Sequence, residues 1–384
     1  MTHDETHLAT QVVHAGEPEE RIEGAVNLPV FMSSTFEFSG ETSYHDLRYI
    51  RLNNTPNHRA LHTKLATLEN APAGLVTASG MAAISTTLMT ILNAGDHLLA
   101  QNCLYGGTYD FLKNTLPHLG IQTDFIDGRD PESWKSKLKK NTKAIYVETI
   151  TNPLLQVAHL PAIVEFSQAH GLVSLIDNTF ATPVNFRPFE IGFDIVLHSC
   201  TKYLNGHSDI VAGAVLGSQD CIDKITHRLN HFGGSLDPHA CFLLHRGLKT
   251  LVLRVQCQNE NGLTMAKFLD SHSAVKKVHY PGLESHPDHQ RATELFTGFA
   301  GTLSFEPKGD TKAARRFLKR IRLPIVAPSL GGVESLITRP CETSHAGLTD
   351  EQRNTLGISN GLIRVALGIE AITDLIEDFD QALG

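Results

Sequence analysis

The chain has 384 residues, 41% of them apolar, which is typical of a globular protein and long enough for two domains. Its 33 basic and 41 acidic side chains give a net charge of −8, which argues against nucleic acid or an anionic membrane as the main partner. The apolar stretches are too short to cross a bilayer, the first residues lack a signal-peptide pattern, and the six cysteines form no C-x-x-C pair. We therefore expect a soluble, cytoplasmic protein with free thiols.

The first predicted feature is an extended N-terminal arm at residues 1–45, where glycine and proline recur without a sustained period. Short apolar strands then alternate with helices up to about residue 200. The predicted helices span Thr63–Glu69, Met81–Leu92, Thr108–Leu119, Pro131–Lys140 and Leu160–His170. The predicted strands span Gly74–Ala78, His97–Ala100, Gln122–Ile126, Lys143–Glu148, Val173–Ile176 and Asp194–Leu197. This alternation predicts an α/β fold, a mostly parallel sheet flanked by helices.

The pattern changes near residue 247. One long helical pattern covers Leu248–Leu269, followed by a strand at Gly301–Phe305 and helices at Lys312–Ile321 and Ala371–Leu383. We therefore predict a large domain at residues 46–247 and a smaller C-terminal α/β domain at residues 248–384.

Ligands of open α/β sheets bind at the carboxyl ends of the strands, so the residues that follow each strand are site candidates. Gly80 and Met81 open a helix whose free amides suit a phosphate, although small residues at a helix start are usually only caps. Asp177 follows another strand, where a carboxylate is as often a cap as a functional acid.

A third strand is followed by two hydroxyls and an amine, on Ser199, Thr201 and Lys202. Such hydroxyls can hold a phosphate, and a lysine shifts its pKa readily when buried, although most lysines are exposed. Tyr105 follows a further strand, where its ring can stack on a ligand or simply pack.

Together these residues predict a pyridoxal-phosphate site. The cofactor needs a Schiff-base lysine, an acid for its pyridinium nitrogen, a phosphate cradle and a stacking aromatic ring. We expect Lys202 to be the lysine, Asp177 the acid and Tyr105 the stacking ring. The cradle consists of Ser199, Thr201 and the amides of Gly80 and Met81.

The segment DIVLHSCTKYLNGHS, residues 194–208, resembles the lysine signature of the Cys/Met-metabolism family of pyridoxal-phosphate enzymes. Matching motifs extend over nearly the whole chain and begin at Ser79 (SGMAA), Tyr105 (YGGT), Glu148 (ETITNP), Asp177 (DNT), Tyr280 (YPGL), Ser329 (SLGGVES) and Ile363 (IRV). The resemblance implies a fold-type-I enzyme that assembles as a homotetramer, a dimer of dimers.

The resemblance also implies roles that the residues alone do not indicate. Tyr49 and Arg51 match a segment that reaches the cofactor phosphate of the neighbouring subunit. Arg364, Asn152 and Ser335 match substrate-binding positions, the first two for the α-carboxylate. A bidentate guanidinium suits that carboxylate.

The resemblance favours members of the family that act on cystathionine. Methionine γ-lyases carry a cysteine at the position of Gly107 and usually lack an acid at that of Glu334, which matches the acid near the distal amino group of cystathionine. Asp110 stands where many relatives have arginine, which argues more against a synthase for an acylated homoserine than against a lyase. The family motif R-x-x-N-P-T appears as RLNNTP at residues 51–56.

We therefore expect a carbon–sulfur lyase that converts L-cystathionine to cysteine, 2-oxobutanoate and ammonia by γ-elimination. Lys202 removes the Cα proton, and Tyr105 assists further proton transfer. The alternatives are cystathionine γ-synthase, cystathionine β-lyase, methionine γ-lyase and a cofactor-binding protein without activity.

Histidines offer a weaker prediction. His286 and His289 have the spacing of metal ligands and His279 is near, but the segment has the composition of a surface loop, so we expect no metal. His198 lies beside the lysine signature, where we expect it to pack in the core.

Overall fold

The structure is a computed structural model that describes residues 6–384, apart from the side chain of His45. Its strands are β1 Ala73–Thr77, β2 His97–Gln101, β3 Gln122–Ile126, β4 Thr142–Glu148, β5 Val173–Asp177, β6 Ile195–His198, β7 Gly213–Gly217, β8 Val275–His279, β9 Thr302–Pro307, β10 Ile325–Val326, β11 Leu336–Thr338 and β12 Ile363–Ala366. Its α-helices are α1 Leu8–His14, α2 Pro56–Glu69, α3 Gly80–Ile91, α4 Gly106–Asp110, α5 Pro131–Trp134, α6 Leu160–His170, α7 Thr182–Asn185, α8 Gln219–Phe232, α9 Pro238–Leu248, α10 Leu251–Ser271, α11 His289–Leu295, α12 Asp310–Arg320, α13 Asp350–Thr355 and α14 Ile372–Leu383.

Seven strands form the larger sheet, in the order β1-β7-β6-β5-β4-β2-β3. All pairings from β6 to β3 are parallel, whereas β7 runs antiparallel to both β6 and β1. Strand β1 therefore points the same way as the parallel strands. The carboxyl ends of these strands meet at one edge of the sheet, where ligands of such folds bind.

Helices cover both faces of this sheet. In β4, Ala144 and Tyr146 belong to the core on one face, and Ile145 and Val147 to the core on the other. This alternation follows from the two-residue period of a strand, and burial on both faces explains why the strands read as continuous apolar runs.

The smaller sheet has the order β10-β11-β12-β9-β8 and is antiparallel apart from the pairing of β10 with β11. Helix α10 connects the two cores, because Leu251 and Val255 pack in that of the larger sheet and Met265 and Leu269 in that of the smaller sheet. The predicted domain division near residue 247 stays a prediction.

The α/β fold with a mostly parallel sheet is confirmed, and several elements have the predicted bounds, such as β3 and α6. Helix α2 begins earlier than predicted, at Pro56, because the fixed φ of a proline suits the first helical position. The helix predicted at Pro131–Lys140 ends at Trp134, and only a 3-10 turn continues it before Leu138 takes an extended backbone.

Some elements have no counterpart among the predictions. Strand β7 begins and ends with glycine, a residue that is depleted in strands, and it was missed for that reason. The helices α8 and α9 were missed as well, and the arm contains the short helix α1. Within residues 6–384, no helix combines the length and apolar character needed to cross a membrane.

Candidate active site

A cavity of about 710 Å³ opens at the carboxyl edge of the larger sheet. Most of its walls come from the segments that follow β1, β2, β4, β5 and β6 of the larger sheet. The other walls come from loops that precede β11 and β12, two strands of the smaller sheet. Nine of the predicted site residues line it: Gly80, Met81, Tyr105, Asn152, Asp177, Ser199, Thr201, Lys202 and Arg364. The two sheets together gather side chains that lie up to 284 positions apart in the sequence (364 − 80).

Lys202 lies in the turn that follows β6, and its amine is half-buried in the cavity. The Nζ atom donates a hydrogen bond of 2.7 Å to the hydroxyl of Ser329. Burial, and then the charge of Arg364, lowers the pKa of Lys202 to about 8. An amine with this pKa is available as a nucleophile and as a base close to neutral pH.

Two carboxyl groups stand side by side in the cavity wall. Glu148 ends β4, Asp177 ends β5, and the two residues pair in register. Burial raises the pKa of Asp177, while hydrogen bonds from the amide and hydroxyl of Thr179 lower it. Burial, and then the charge of Asp177, raises the pKa of Glu148 well above its usual range. Asp177 is therefore the member of the pair that ionises first.

Arg364 on β12 is buried and has only part of its guanidinium satisfied. One terminal nitrogen donates to Oδ1 of Asn152 at 3.2 Å, and the other donates to the carbonyl of Ser329 at 2.7 Å. Its Nε atom is buried without a hydrogen-bond partner in the described residues. Burial lowers the pKa of Arg364 to about 10, so that the cation is costly here unless an anion joins it. A substrate carboxylate fits this requirement.

The phosphate end of the predicted site lies at the start of α3. Ser79 caps this helix by accepting a hydrogen bond from the amide of Ala82 at 3.0 Å. A side chain on Gly80 would place its Cβ 2.9 Å from Cβ of Ser199, so only glycine lets the two segments approach this closely. The hydroxyl of Thr201 is already bonded to the backbone of Ala212. The cradle, the acid and the lysine fit a bound pyridoxal phosphate.

A buried polar network supports the same edge from behind. Oε1 of Glu69 accepts hydrogen bonds from Nε2 of His198 at 2.6 Å and from the side-chain amide of Asn178 at 2.9 Å. His198 is buried, as predicted, but it is paired with an acid as well as packed. The network ties together the segments that carry Asp177 and Lys202.

Four predicted site residues do not line the cavity. Ser335 is fully buried, and its hydroxyl bonds the Glu370 carboxylate at 2.9 Å and the Gly368 amide at 2.9 Å. Glu334 is half-buried and accepts a hydrogen bond from the hydroxyl of Ser208. The roles predicted for these two side chains stay predictions.

Tyr49 is exposed and Arg51 is half-buried, and neither lines the cavity of its own chain. Arg51 donates to the carbonyl of Asn230 at 2.8 Å, and its guanidinium lies 5.7 Å from the centre of the Tyr49 ring. The backbone amide of Tyr49 donates to Oδ1 of Asn54 at 3.1 Å, so Asn54 of the RLNNTP segment fixes this turn. The predicted role in a neighbouring subunit stays a prediction.

Sequence reasoning missed some of the lining. Glu148 ends the predicted strand Lys143–Glu148 and begins the matching motif ETITNP, so its place at the same edge as Asp177 was available as a signal. Ser329 begins the matching motif SLGGVES, but no local pattern indicated its contact with Lys202, which depends on how the smaller sheet packs. Its φ of +92° is strained for a residue other than glycine. In residues 6–384, no three His, Cys, Asp or Glu side chains are grouped so as to hold a metal ion.

Comparisons with known proteins agree with this geometry. Residues 9–384 match the family described as "Cys/Met metabolism PLP-dependent enzyme". The cystathionine beta-lyase of Lactococcus lactis is 41% identical over 98% of this chain and 99% of its own length. The cystathionine gamma-lyase of Bacillus subtilis is 40% identical over 97% of this chain and 98% of its own.

A solved structure shares the fold. The cystathionine gamma-lyase of Lactobacillus plantarum, complexed with L-serine, is 38% identical and superposes with a TM-score of 0.93 over 98% of both chains. The predictions of the family, of fold type I and of an enzyme that uses pyridoxal phosphate are confirmed. The chain belongs to the family of Cys/Met metabolism PLP-dependent enzymes.

Proposed function

We propose that this enzyme is a carbon–sulfur lyase that cleaves the bond between Cγ and sulfur of L-cystathionine, with cysteine, 2-oxobutanoate and ammonia as products. The observation that carries the proposal is the course of two chain segments, residues 202–208 and 329–334, which run side by side away from the cavity lysine.

Three contacts define this course. Lys202 Nζ donates to Ser329 Oγ at 2.7 Å, the amide of Val333 donates to the carbonyl of Gly206 at 3.0 Å, and the Ser208 hydroxyl donates to the Glu334 carboxylate. The two segments therefore lead from Lys202 to an acidic side chain, that of Glu334. A long substrate with amino-acid groups at both ends can place one carboxylate at Arg364 and its distal ammonium near Glu334.

The packing around Gly107 gives a second argument. A Cβ at this position would lie 2.7 Å from Cε1 of the Tyr105 ring and 3.4 Å from the sulfur of Met81. Methionine γ-lyases carry a cysteine at this position. In this chain a cysteine here would have to displace the ring of Tyr105. Gly107 thus favours a substrate preference other than methionine.

Pyridoxal phosphate, when bound, withdraws electrons from the substrate carbon that carries the amino group. The residues of the chain orient the substrate and move its protons. Arg364 and Asn152 hold the α-carboxylate, and Asp177 holds the proton on the ring nitrogen. Lys202, with its pKa of about 8, takes the Cα proton and can return it near neutral pH.

Elimination requires that protons leave Cα and Cβ and that the bond from Cγ to sulfur breaks, with its electron pair leaving on sulfur. Lys202 and Tyr105 are the proton-carrying side chains of the cavity suited to these transfers. The sulfur takes up a proton and leaves as the thiol of cysteine, and water then hydrolyses the remaining four-carbon unsaturated amine to 2-oxobutanoate and ammonia.

We further propose a homotetramer, a dimer of dimers, that works in the cytoplasm. In it Tyr49 and Arg51 of one subunit contact the cofactor phosphate of its neighbour. The exposed Tyr49 and the half-buried Arg51 support this arrangement, because neither residue lines the cavity of its own chain.

Product analysis of the purified enzyme with cystathionine tests the proposed reaction, with the Lys202→Ala variant as the blank. We expect cysteine and 2-oxobutanoate in equal amounts. Pyruvate with homocysteine would instead identify a β-lyase. Turnover only on addition of cysteine and an acylated homoserine would identify a γ-synthase.

A further inference from the structure

A carboxyl group of the cavity wall has no role in the proposed reaction. Glu148 is 5% exposed, lines the cavity and pairs in register with Asp177 on the neighbouring strand. The backbone amide of Glu148 donates to Oε1 of Gln101 at 3.0 Å. Gln101 ends β2, so the backbone of Glu148 is held from the side of β4 opposite to β5. A buried carboxyl group beside another one is costly, which calls for a specific use.

The use is visible in what its oxygen accepts. Oε1 of Glu148 accepts a hydrogen bond of 2.6 Å from the backbone amide of Tyr105. Tyr105 precedes helix α4, and its side chain is 46% exposed and reaches over the cavity. The ring packs over Gly107, where no Cβ stands in its way. The carboxyl of Glu148, which also faces the backbone amide of Asn152, is thus a side-chain anchor of the loop from which the ring projects.

We propose that Glu148 is a positioning residue, whose carboxyl fixes the backbone of Tyr105 and thereby sets the tyrosine ring over the cofactor, beside Asp177. The inference rests on the cofactor of the family and not on the identity of the cleaved thioether. Glu148 acts through Tyr105 and takes no part in the chemistry.

The charge state of the pair agrees with this role. Burial, and then the Asp177 charge, raises the pKa of Glu148 well above its usual range, which favours the protonated form of this carboxyl. A protonated carboxyl still offers its carbonyl oxygen to the Tyr105 amide. The hydrogen bonds from Thr179 favour the anion on Asp177, so the two carboxyls of the pair differ in what their surroundings favour.

Three variants separate positioning from chemistry. Glu148→Gln keeps an uncharged carbonyl oxygen of the same reach, Glu148→Asp withdraws the acceptor by one methylene, and Glu148→Leu removes it. Glu165→Leu, at an exposed position of α6, is the matched control. The readouts are the visible circular dichroism and the dissociation constant of the bound cofactor, both without substrate, and then kcat and KM.

We expect Glu148→Gln to stay within about threefold of the wild type in kcat/KM and to keep its visible dichroism. Glu148→Leu should lose at least about tenfold in kcat/KM and change the dichroism, because the ring above the cofactor shifts. The control should change neither.

Two results would overturn the proposal. Unchanged dichroism and kcat/KM in Glu148→Leu would show that the anchor is dispensable. A Glu148→Gln variant as damaged as Glu148→Leu would assign the proton of Glu148 a part in the chemistry. If Glu148→Leu does not fold, the comparison of Gln with Asp decides, since positioning requires Gln to be the better of the two. The spectra need no substrate, so they are independent of the proposed function.

Discussion

The cavity and the segment Tyr49–Arg51 place predicted site residues in opposite situations. Around Lys202, Asp177 and Arg364 the parts of the site contact one another within one chain. Tyr49 and Arg51 match the family through a segment that departs from the motif R-x-x-N-P-T, and neither lines this cavity. The difference teaches that a sheet edge brings its site residues together within one chain, whereas the role proposed for Tyr49 and Arg51 requires a second subunit.

The largest effect is expected at the centre of the cavity. Lys202→Ala should lower kcat by at least about 10³-fold and abolish the visible absorbance of the bound cofactor, because no other amine takes its place. Lys224→Ala, on the exposed face of α8, is the matched control. Full activity of Lys202→Ala would remove the basis of the mechanism.

Arg364 tests the wall contributed by the smaller sheet. Arg364→Lys keeps the charge but loses the planar fork, so KM should rise between about tenfold and a hundredfold with a smaller change in kcat. Steady-state kinetics measure the split. An unchanged KM would mean that the carboxylate binds elsewhere.

The pH dependence of cofactor uptake tests the environment of Lys202. Burial lowers its pKa to about 8, so the neutral, reactive amine grows from a minor to the major form between pH 7 and 9. The rate at which the apoenzyme gains visible absorbance should therefore rise about tenfold over this range and then level off. An exposed lysine would show a rise that continues to the usual pKa near 10.4.

Complementation between two variants sharpens the comparison between the cavity and the segment Tyr49–Arg51. Arg51→Ala should weaken cofactor binding about fivefold through the lost phosphate contact, whereas Arg48→Ala should not. Mixed oligomers of Arg51→Ala and Lys202→Ala should regain the wild-type cofactor affinity at one site, because that site combines an intact Lys202 with the intact Arg51 of the other subunit. No recovery in verified mixed oligomers would place Arg51 at the site of its own chain.

The smallest effect is expected at Glu334, which lies outside the cavity lining. Glu334→Gln should raise KM for cystathionine by about threefold and leave KM for homocysteine unchanged, because only the longer substrate brings a distal ammonium to this carboxylate. Equal changes for both substrates would contradict a distal role.

The sequence predicted the α/β fold and most of the cavity because both depend on local signals. Buried strands and the polar residues after them placed Asp177 and Ser199–Lys202 at one edge. The contact of Ser329 with Lys202 and the anchoring of Tyr105 by Glu148 depend on packing between distant segments, which no local pattern encodes. The place of Ser335 was not predictable for the same reason, since Glu370 and Gly368 hold its hydroxyl.

The most direct test of the account is to find the lysine that carries the cofactor. The purified enzyme is loaded with pyridoxal phosphate, treated with borohydride to make the bond to the lysine permanent, digested, and mapped by mass spectrometry. We predict a single modified peptide that contains Lys202. Modification of another lysine, with Lys202 free, would contradict the account.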